Sequence, residues 1–192
     1  MQEKTRRLAL AGLITALILL LGLTPLGFPS IPPFSVTIVP IPVALGAMLL
    51  GPGYGLFFGL LFGLTSVYQA MISALPTAPI FLDPLVSVLP RLFVPLAGCY
   101  AFRITRKFVK REGLIAYAIG GFAASLCNTV LVLTAIYMLH GADFAAAAGI
   151  ELSTVFGVLV GIGATSLLPE GGLNALFCGV IGRAVAKLPK GA

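Results

Sequence analysis

Between Leu8 and Phe102 the chain carries two charged side chains, Asp83 and Arg91. No stretch of that length can clothe a water-facing domain. Ordinary globular domains are about 25% charged, whereas this chain of 192 residues is 9% charged and 59% hydrophobic. With a mean hydropathy of +1.10, the solvent for the fold is lipid. A helix needs about 20 mostly apolar residues to cross a bilayer, so the chain has room for roughly six or seven crossings and no soluble module. The apolar character continues throughout, so the first run is expected as a span and not as a cleaved leader.

Proline and glycine divide the apolar runs. The expected spans are Leu8 to Thr24, Pro42 to Gly51, Tyr54 to Ser73, Pro84 to Thr105, Leu114 to Leu139 and Pro169 to Lys187. Lys4, Arg6 and Arg7 precede the first, Arg103, Arg106, Lys107, Lys110 and Arg111 link the fourth to the fifth, and Arg183, Lys187 and Lys190 close the chain. The links around Phe28, Pro79 and Asp143 hold no Lys or Arg. Cytoplasmic loops collect cations, so both termini are expected inside. The net charge of +6 then reports orientation, not nucleic-acid binding. Ile150 to Leu168 is long enough for a seventh crossing, but that would place Arg183, Lys187 and Lys190 outside. It is expected as an outer-side or re-entrant helix, or an extension into the last span.

The second run is short, about 15 Å at the helical rise, half the hydrocarbon thickness. The link before it, "PLGFPSIPPFSVTIVPIP", is too rich in proline for regular helix. It must descend into the membrane's outer half, where irregular backbone is tolerated only when covered by protein or lining a cavity. A cavity open to the outside follows.

Arg91 lies within the expected fourth span, about 12 Å below its outer end. A charge near mid-span costs about 2.5–3.5 kcal/mol on insertion scales and persists when paired, snorkelling or working. One reading is a permanent ion pair with Glu170 or Asp83. The other is a ligand site, since further polar groups share its depth: Thr65, Gln69, Ser87, Asn128, Glu170 and Asn174. Each alone reads as an inter-helix hydrogen bond; together they suit a ligand cavity with Arg91, Asn128, Gln69, Glu170 and Ser87 as binding residues. A guanidinium holds a carboxylate bidentately, and one deep cation suits a singly charged acid. The chain has no tryptophan, which favours a small non-aromatic acid, though Phe28, Phe34 and Tyr68 remain available to stack a ring.

No G-x-x-x-x-G-K-[ST] loop is present, so the chain cannot use ATP itself. No nucleophile–base set is visible, giving no catalytic residues, and no metal or cofactor site is expected. His140 is expected as a solvated residue of an external link. Cys99, Cys127 and Cys178 read as small buried side chains. Small residues four apart at Gly12 and Ala16, at Gly55, Gly59 and Gly63, and at Gly157 and Gly161 form faces for close helix approach, within this chain or against a partner.

The chain resembles the substrate-binding S components of energy-coupling-factor (ECF) vitamin transporters. The likeness rests on the basic N-terminus, the small-residue face of the first span, "VPIPVALGAMLLGPGYGLFFGLLFGLTS", "DPLVSVLPRLFVPL", "NTVLVL" and "LLPEGGLNALF" in that order. It implies an ATP-independent binding subunit that pairs with a transmembrane coupling subunit and two cytoplasmic ATPases, and topples in the membrane to release its vitamin. It also implies that the first helix docks the coupling subunit through an A-x-x-x-A face, here Gly12 and Ala16. Within the family the pattern looks most like the pantothenate-binding branch; riboflavin, folate or another vitamin is the alternative.

The expectation is thus an all-α integral membrane protein, with residues 1–192 a single transmembrane substrate-binding domain of six transmembrane helices in a prokaryotic plasma membrane. A stand-alone secondary transporter is the rival, against which stand the lack of an inverted repeat and of a coupling-ion carboxylate pair.

Overall fold

The structure, a computed structural model, describes residues 2–24, 27, 30–31, 34–35, 37–109 and 113–187; at residues 2, 30, 31, 34, 35 and 187 the backbone alone is described. Of the residues singled out above, Phe28, Lys110, Arg111 and Lys190 lie outside this set. In chain order come α1 (Gln2–Leu23), the antiparallel pair β1 (Ser30–Ile31) and β2 (Phe34–Ser35), α2 (Pro40–Leu50), α3 (Pro52–Ile72), a 3-10 turn at Ala78–Leu82, α4 (Pro84–Ser87), α5 (Leu89–Phe108), α6 (Leu114–Ala148), a 3-10 turn at Leu152–Thr154, and α7 (Val155–Lys187). Among the described residues five stretches are long and apolar enough to cross a membrane, namely Glu3–Leu23, Pro52–Ile72, Pro84–Phe108, Leu114–Ala148 and Leu152–Ala186. The helix α2 is the short exception.

Helix α2 starts on Pro40 and Pro42, whose missing amides fall in the first turn where none is needed. It ends at Gly51, whose φ of +106° suits glycine, and Pro52 starts α3 directly. Residues Pro40 to Met48 are all buried. The short helix is therefore the hub of the bundle. Ile41, Ala44, Leu45 and Met48 pack against Val94 and Phe102 of α5, Ala116, Tyr117 and Ala124 of α6, and Cys178 of α7. Val43, with Val39, packs on Ile14, Ile18, Phe58 and Phe62 of α1 and α3.

In lipid the hydrophobic effect does not drive one helix onto another, so close backbone approach and dispersion must hold the bundle. The α3 glycine stripe supplies such an approach. A Cβ at Gly59 would sit 2.5 Å from the Arg91 carbonyl oxygen, one at Gly63 would sit 2.8 Å from Val88 Cα, and one at Gly55 would sit 2.8 Å from Ala47 Cβ. This face is committed to packing within the chain. Gly12, Gly157 and Gly161 differ: they are exposed and nothing lies within 4 Å of the added Cβ.

Three expectations need correction. The fifth span does not stop at Leu139: α6 runs to Ala148 with one non-helical residue, His140 at φ −132° and ψ 27°. The segment Ile150 to Leu168 is neither a separate outer-side helix nor a re-entrant one: of the alternatives it follows the extension, continuous from Val155 with the last span, and Pro169 lies inside α7 without ending it. The fourth span is divided at Val88 into α4 and α5, because Pro90 has no amide with which to continue the ladder from α4. At 1.5 Å per residue, α6 and α7 each reach roughly 50 Å, well beyond the hydrocarbon core of about 30 Å. The C-terminal half of α6 and the start of α7 close over Ile80 and Val86 through Val132, Ile136, Phe144, Ala145, Val155 and Leu159.

Gly59→Ala is expected to lower stability by about 1–3 kcal/mol, because backbone must move to admit the methyl group. Gly172→Ala, at an exposed position with open space, should not. Thermal unfolding of both variants in detergent checks this; equal melting temperatures would contradict the packing described.

Candidate functional site

Arg91 stands in the first turn of α5, 6% exposed, and its surroundings follow from two prolines. Pro90 lacks the amide that the Val86 carbonyl would accept in a continuous helix, and Arg91 Nη1 donates to that carbonyl instead. Pro95 likewise leaves the Arg91 carbonyl without its helical donor, at the point where Gly59 lets α3 come close. The guanidinium lies 5.6 Å from the Phe62 ring centre and 5.9 Å from that of Phe81, within cation–π range. Its Nε is buried with no hydrogen-bond partner.

Neither expected ion pair forms. Among the described residues the pairs are Arg7 with Glu3 and His140 with Asp83 and Asp143. Glu170, 5% exposed on α7, instead accepts a hydrogen bond from the Thr37 backbone amide at 2.6 Å. That bond ties the proline-rich link before α2 to the middle of the last helix. Asp83 caps α4 by accepting from the Leu85 amide at 2.8 Å.

The other polar groups divide into committed and uncommitted. Ser87 Oγ donates to the Phe81 carbonyl, fixing the turn that carries the Phe81 ring. Thr65 Oγ1 donates to Phe62 at 2.9 Å. Gln69 Nε2 donates to Gly22 and Thr24 at 3.0 and 3.3 Å, so its amide closes the end of α1, whose last carbonyls have no helical donor. All three are thus engaged with backbone carbonyls, and Gln69 alone of them joins one helix to another. Tyr68 is 44% exposed, and no side chain is described at Phe34. Uncommitted atoms are Asn128 Oδ1, Ser125 Oγ, Asn174 Oδ1 and Ser66 Oγ, all buried without a partner. An unsatisfied buried polar group costs about 1–3 kcal/mol, so each of these atoms calls for a partner beyond the side chains around it.

Register places most of them within about two turns of one another. Gly98 of α5 meets Gly120 and Ala124 of α6; about two turns toward the start of α5, Arg91 and Asn128 reach the same level on these antiparallel neighbours. Gly121 of α6 meets Asn174 of α7, and one turn later on α6 and one turn earlier on α7 are Ser125 and Glu170. Asn174 Nδ2 donates to the Glu170 carbonyl at 2.9 Å, leaving its Oδ1 free to accept. The layer thus presents a guanidinium on one helix and oxygen acceptors on two others. Such a surface suits a ligand with an anionic end and hydroxyl or amide donors along its length. Ser125 was not singled out from the sequence, although its spacing of three from Asn128 puts both on one helix face. Ser66 stands alone on α3 with no such signal.

His140 is also misplaced by the sequence. It is half-buried, with Nδ1 2.8 Å from Asp143 Oδ2 and Nε2 3.0 Å from Asp83 Oδ2, and so is not a solvated loop residue. On α1, Ala11, Ile14 and Ile18 face the bundle while Gly12 and Ala16 face outward.

Residues 6–181 match the family "ECF transporter, substrate-specific component". The chain belongs to this family. As an S component it is a multi-pass protein of the cell membrane and part of a transporter, not an enzyme. It is similar to the pantothenic acid transporter PanT of Lactococcus lactis subsp. cremoris (strain MG1363), with 28% identity over 123 residues, 57% of this chain. The match spans 60% of that relative's length. Its fold is similar to the 2.1 Å crystal structure of the S-component for biotin from an ECF-type ABC transporter, at a TM-score of 0.54 and 21% identity, covering 97% of this chain and 93% of that one.

Glu170→Ala is expected to speed hydrogen exchange at the Thr37 amide by roughly 10- to 150-fold, from the 1.5–3 kcal/mol of a hydrogen bond to a charged group. Glu170→Gln keeps an acceptor oxygen and should change it far less. Exchange measured by mass spectrometry or NMR checks this, and unchanged protection in Glu170→Ala would show the anchor to be unimportant.

Proposed function

We propose that this S component is the high-affinity binding subunit for uptake of pantothenate. It would deliver the vitamin to a transmembrane coupling subunit with two cytoplasmic ATPases. The observation that carries the reading is the buried Arg91 guanidinium with no carboxylate partner among the described residues, level with the unpartnered Asn128 oxygen. Pantothenate is a flexible acid with one carboxylate, two hydroxyls and one amide N–H. Its carboxylate fits the arginine fork, and its three donors match Asn128 Oδ1, Asn174 Oδ1 and Ser125 Oγ. Riboflavin has no carboxylate for Arg91, and folate brings two. Similarity to PanT supports the choice. Biotin also carries one carboxylate and is the competitor to test.

Two parts of the reading rest on position. The loop cations favour cytoplasmic termini, which opens the Arg91 layer to the outside. The outward face at Gly12 and Ala16 supports docking of a coupling subunit, since small residues there let another helix come close.

Arg91→Ala should abolish high-affinity pantothenate binding while the protein still folds, and Arg91→Lys should rescue it only in part, because a point charge replaces a planar fork. Asn128→Leu should weaken binding roughly 5- to 150-fold, from the 1–3 kcal/mol of an unpaired polar group. Calorimetry with pantothenate and biotin measures both; tighter biotin binding would overturn the substrate assignment. Gly12→Trp and Ala16→Trp should block ATP-driven uptake into vesicles containing the full complex while leaving pantothenate affinity intact. Loss of both together would rule out the docking role.

A further inference from the structure

His140 is the only histidine in the chain, and its ring touches a carboxylate on each side. Nδ1 lies 2.8 Å from Asp143 Oδ2, one turn further along α6, and Nε2 lies 3.0 Å from Asp83 Oδ2, across the bundle at the start of α4. A carboxylate only accepts, so both ring nitrogens must donate, and a neutral imidazole has one N–H. The arrangement therefore belongs to the protonated ring.

Asp83 connects this clasp to the site. Its Oδ2 takes His140 while its Oδ1 caps α4 through the Leu85 amide, and its backbone carbonyl accepts from Val86 and Ser87 at 3.1 and 3.0 Å. Val86 in turn offers its carbonyl to Arg91, and Ser87 donates to the carbonyl of Phe81, whose ring lies 5.9 Å from the guanidinium. Among the described residues, the hydrogen bond that the Arg91 guanidinium makes thus ends on the four-residue α4, which Asp83 caps.

We propose that His140 is a positioning residue for the ligand site, its protonated ring clasping Asp83 to α6 so that α4 holds Arg91 ready for an anionic ligand, and that loss of the ring proton loosens the site. The binding half of this statement rests on the reading of Arg91 given above; the clasp does not. The charged groups facing the ring are Asp83 from the turn before α4 and Asp143 from α6 itself. The nearby turn at Leu152–Thr154 brings Glu151, which accepts from Ser153, and the outer half of α7, Val155 to Pro169, has no ionisable side chain. The ring bond, followed by the Leu85 amide, holds the Asp83 carboxyl below its usual range. Asp83 therefore stays charged as pH falls until that lowered value is reached. The clasp is whole between there and the deprotonation of the ring, and weakens above it. A carboxylate ligand is ionised across the neutral and alkaline range and does not confound the profile.

Histidine-selective 15N labelling gives one ring to follow by NMR in nanodiscs without ligand. Both ring nitrogens should be protonated at neutral pH, and Asp83→Asn should bring ring deprotonation to a lower pH. The Arg91 Nε–H resonance, assigned by its loss in Arg91→Lys, should titrate with the same midpoint as the ring. Pantothenate affinity should fall about fivefold as the ring deprotonates, a fraction of the effect of losing one charge-assisted hydrogen bond. In His140→Gln the profile should be flat. A ring that is neutral at neutral pH and indifferent to Asp83→Asn, an Arg91 resonance that does not follow it, or an unaltered affinity profile in His140→Gln would each overturn the proposal. If pantothenate fails to bind at any pH while the two resonances titrate together, the substrate assignment falls and the clasp stands.

Discussion

A guanidinium inside a membrane bundle has few ways to be tolerated, and the rest of this fold is arranged around the one adopted here. Burial of an unpaired ion carries a penalty of several kcal/mol even after relaxation. Arg91 meets it with one peptide carbonyl and the faces of two aromatic rings. The carbonyl is available because Pro90 has no amide, and that same proline divides α4 from α5. The division exposes backbone at Ser87, Val88 and Arg91, and α3 comes up against it through Gly59 and Gly63. A charge, a proline and a glycine stripe that look unrelated in the sequence are thus parts of one junction.

What the junction lacks is an anion. Its Nε has no partner, and the carboxylates that could have served are engaged elsewhere, Glu170 with the Thr37 amide and Asp83 with His140. The same two carboxylates fasten the elements around the layer: Glu170 ties the first link to α7, and Asp83 ties α4 to α6. The two internal acids are thus used to fasten helices, and neither neutralises Arg91.

Much of this was legible in advance because the hydrophobic pattern and the scarcity of charge speak directly to it. The long apolar helices, the short second helix and the odd arginine within a span follow from counting apolar residues at helical rise. Partner choice did not. Nothing in the spacing of Gln69 says that its amide will close α1, and nothing at Ser87 says that its hydroxyl will turn to Phe81. Those bonds depend on where a neighbouring helix ends. The extension of α6 was readable but missed. "HGADF" looks like a turn, yet "FAAAAG" after it is rich in the best helix former and ends on Gly149, a left-handed cap at φ +65°. Because the helix was ended too early, His140 was placed in a loop and its two carboxylates were overlooked.

The central claim is that the Arg91 charge is completed by a carboxylate arriving with the ligand. A solid-state NMR distance measurement between pantothenate labelled with 13C at its carboxyl group and 15N-labelled arginine side chains in lipid tests it most directly. The account predicts a strong carbon–nitrogen contact, as direct charge-assisted hydrogen bonding with an N–O separation of roughly 2.7–2.9 Å requires, that disappears in Arg91→Lys. A bound ligand whose carboxyl carbon shows no arginine contact, or one that persists in Arg91→Lys, would contradict it.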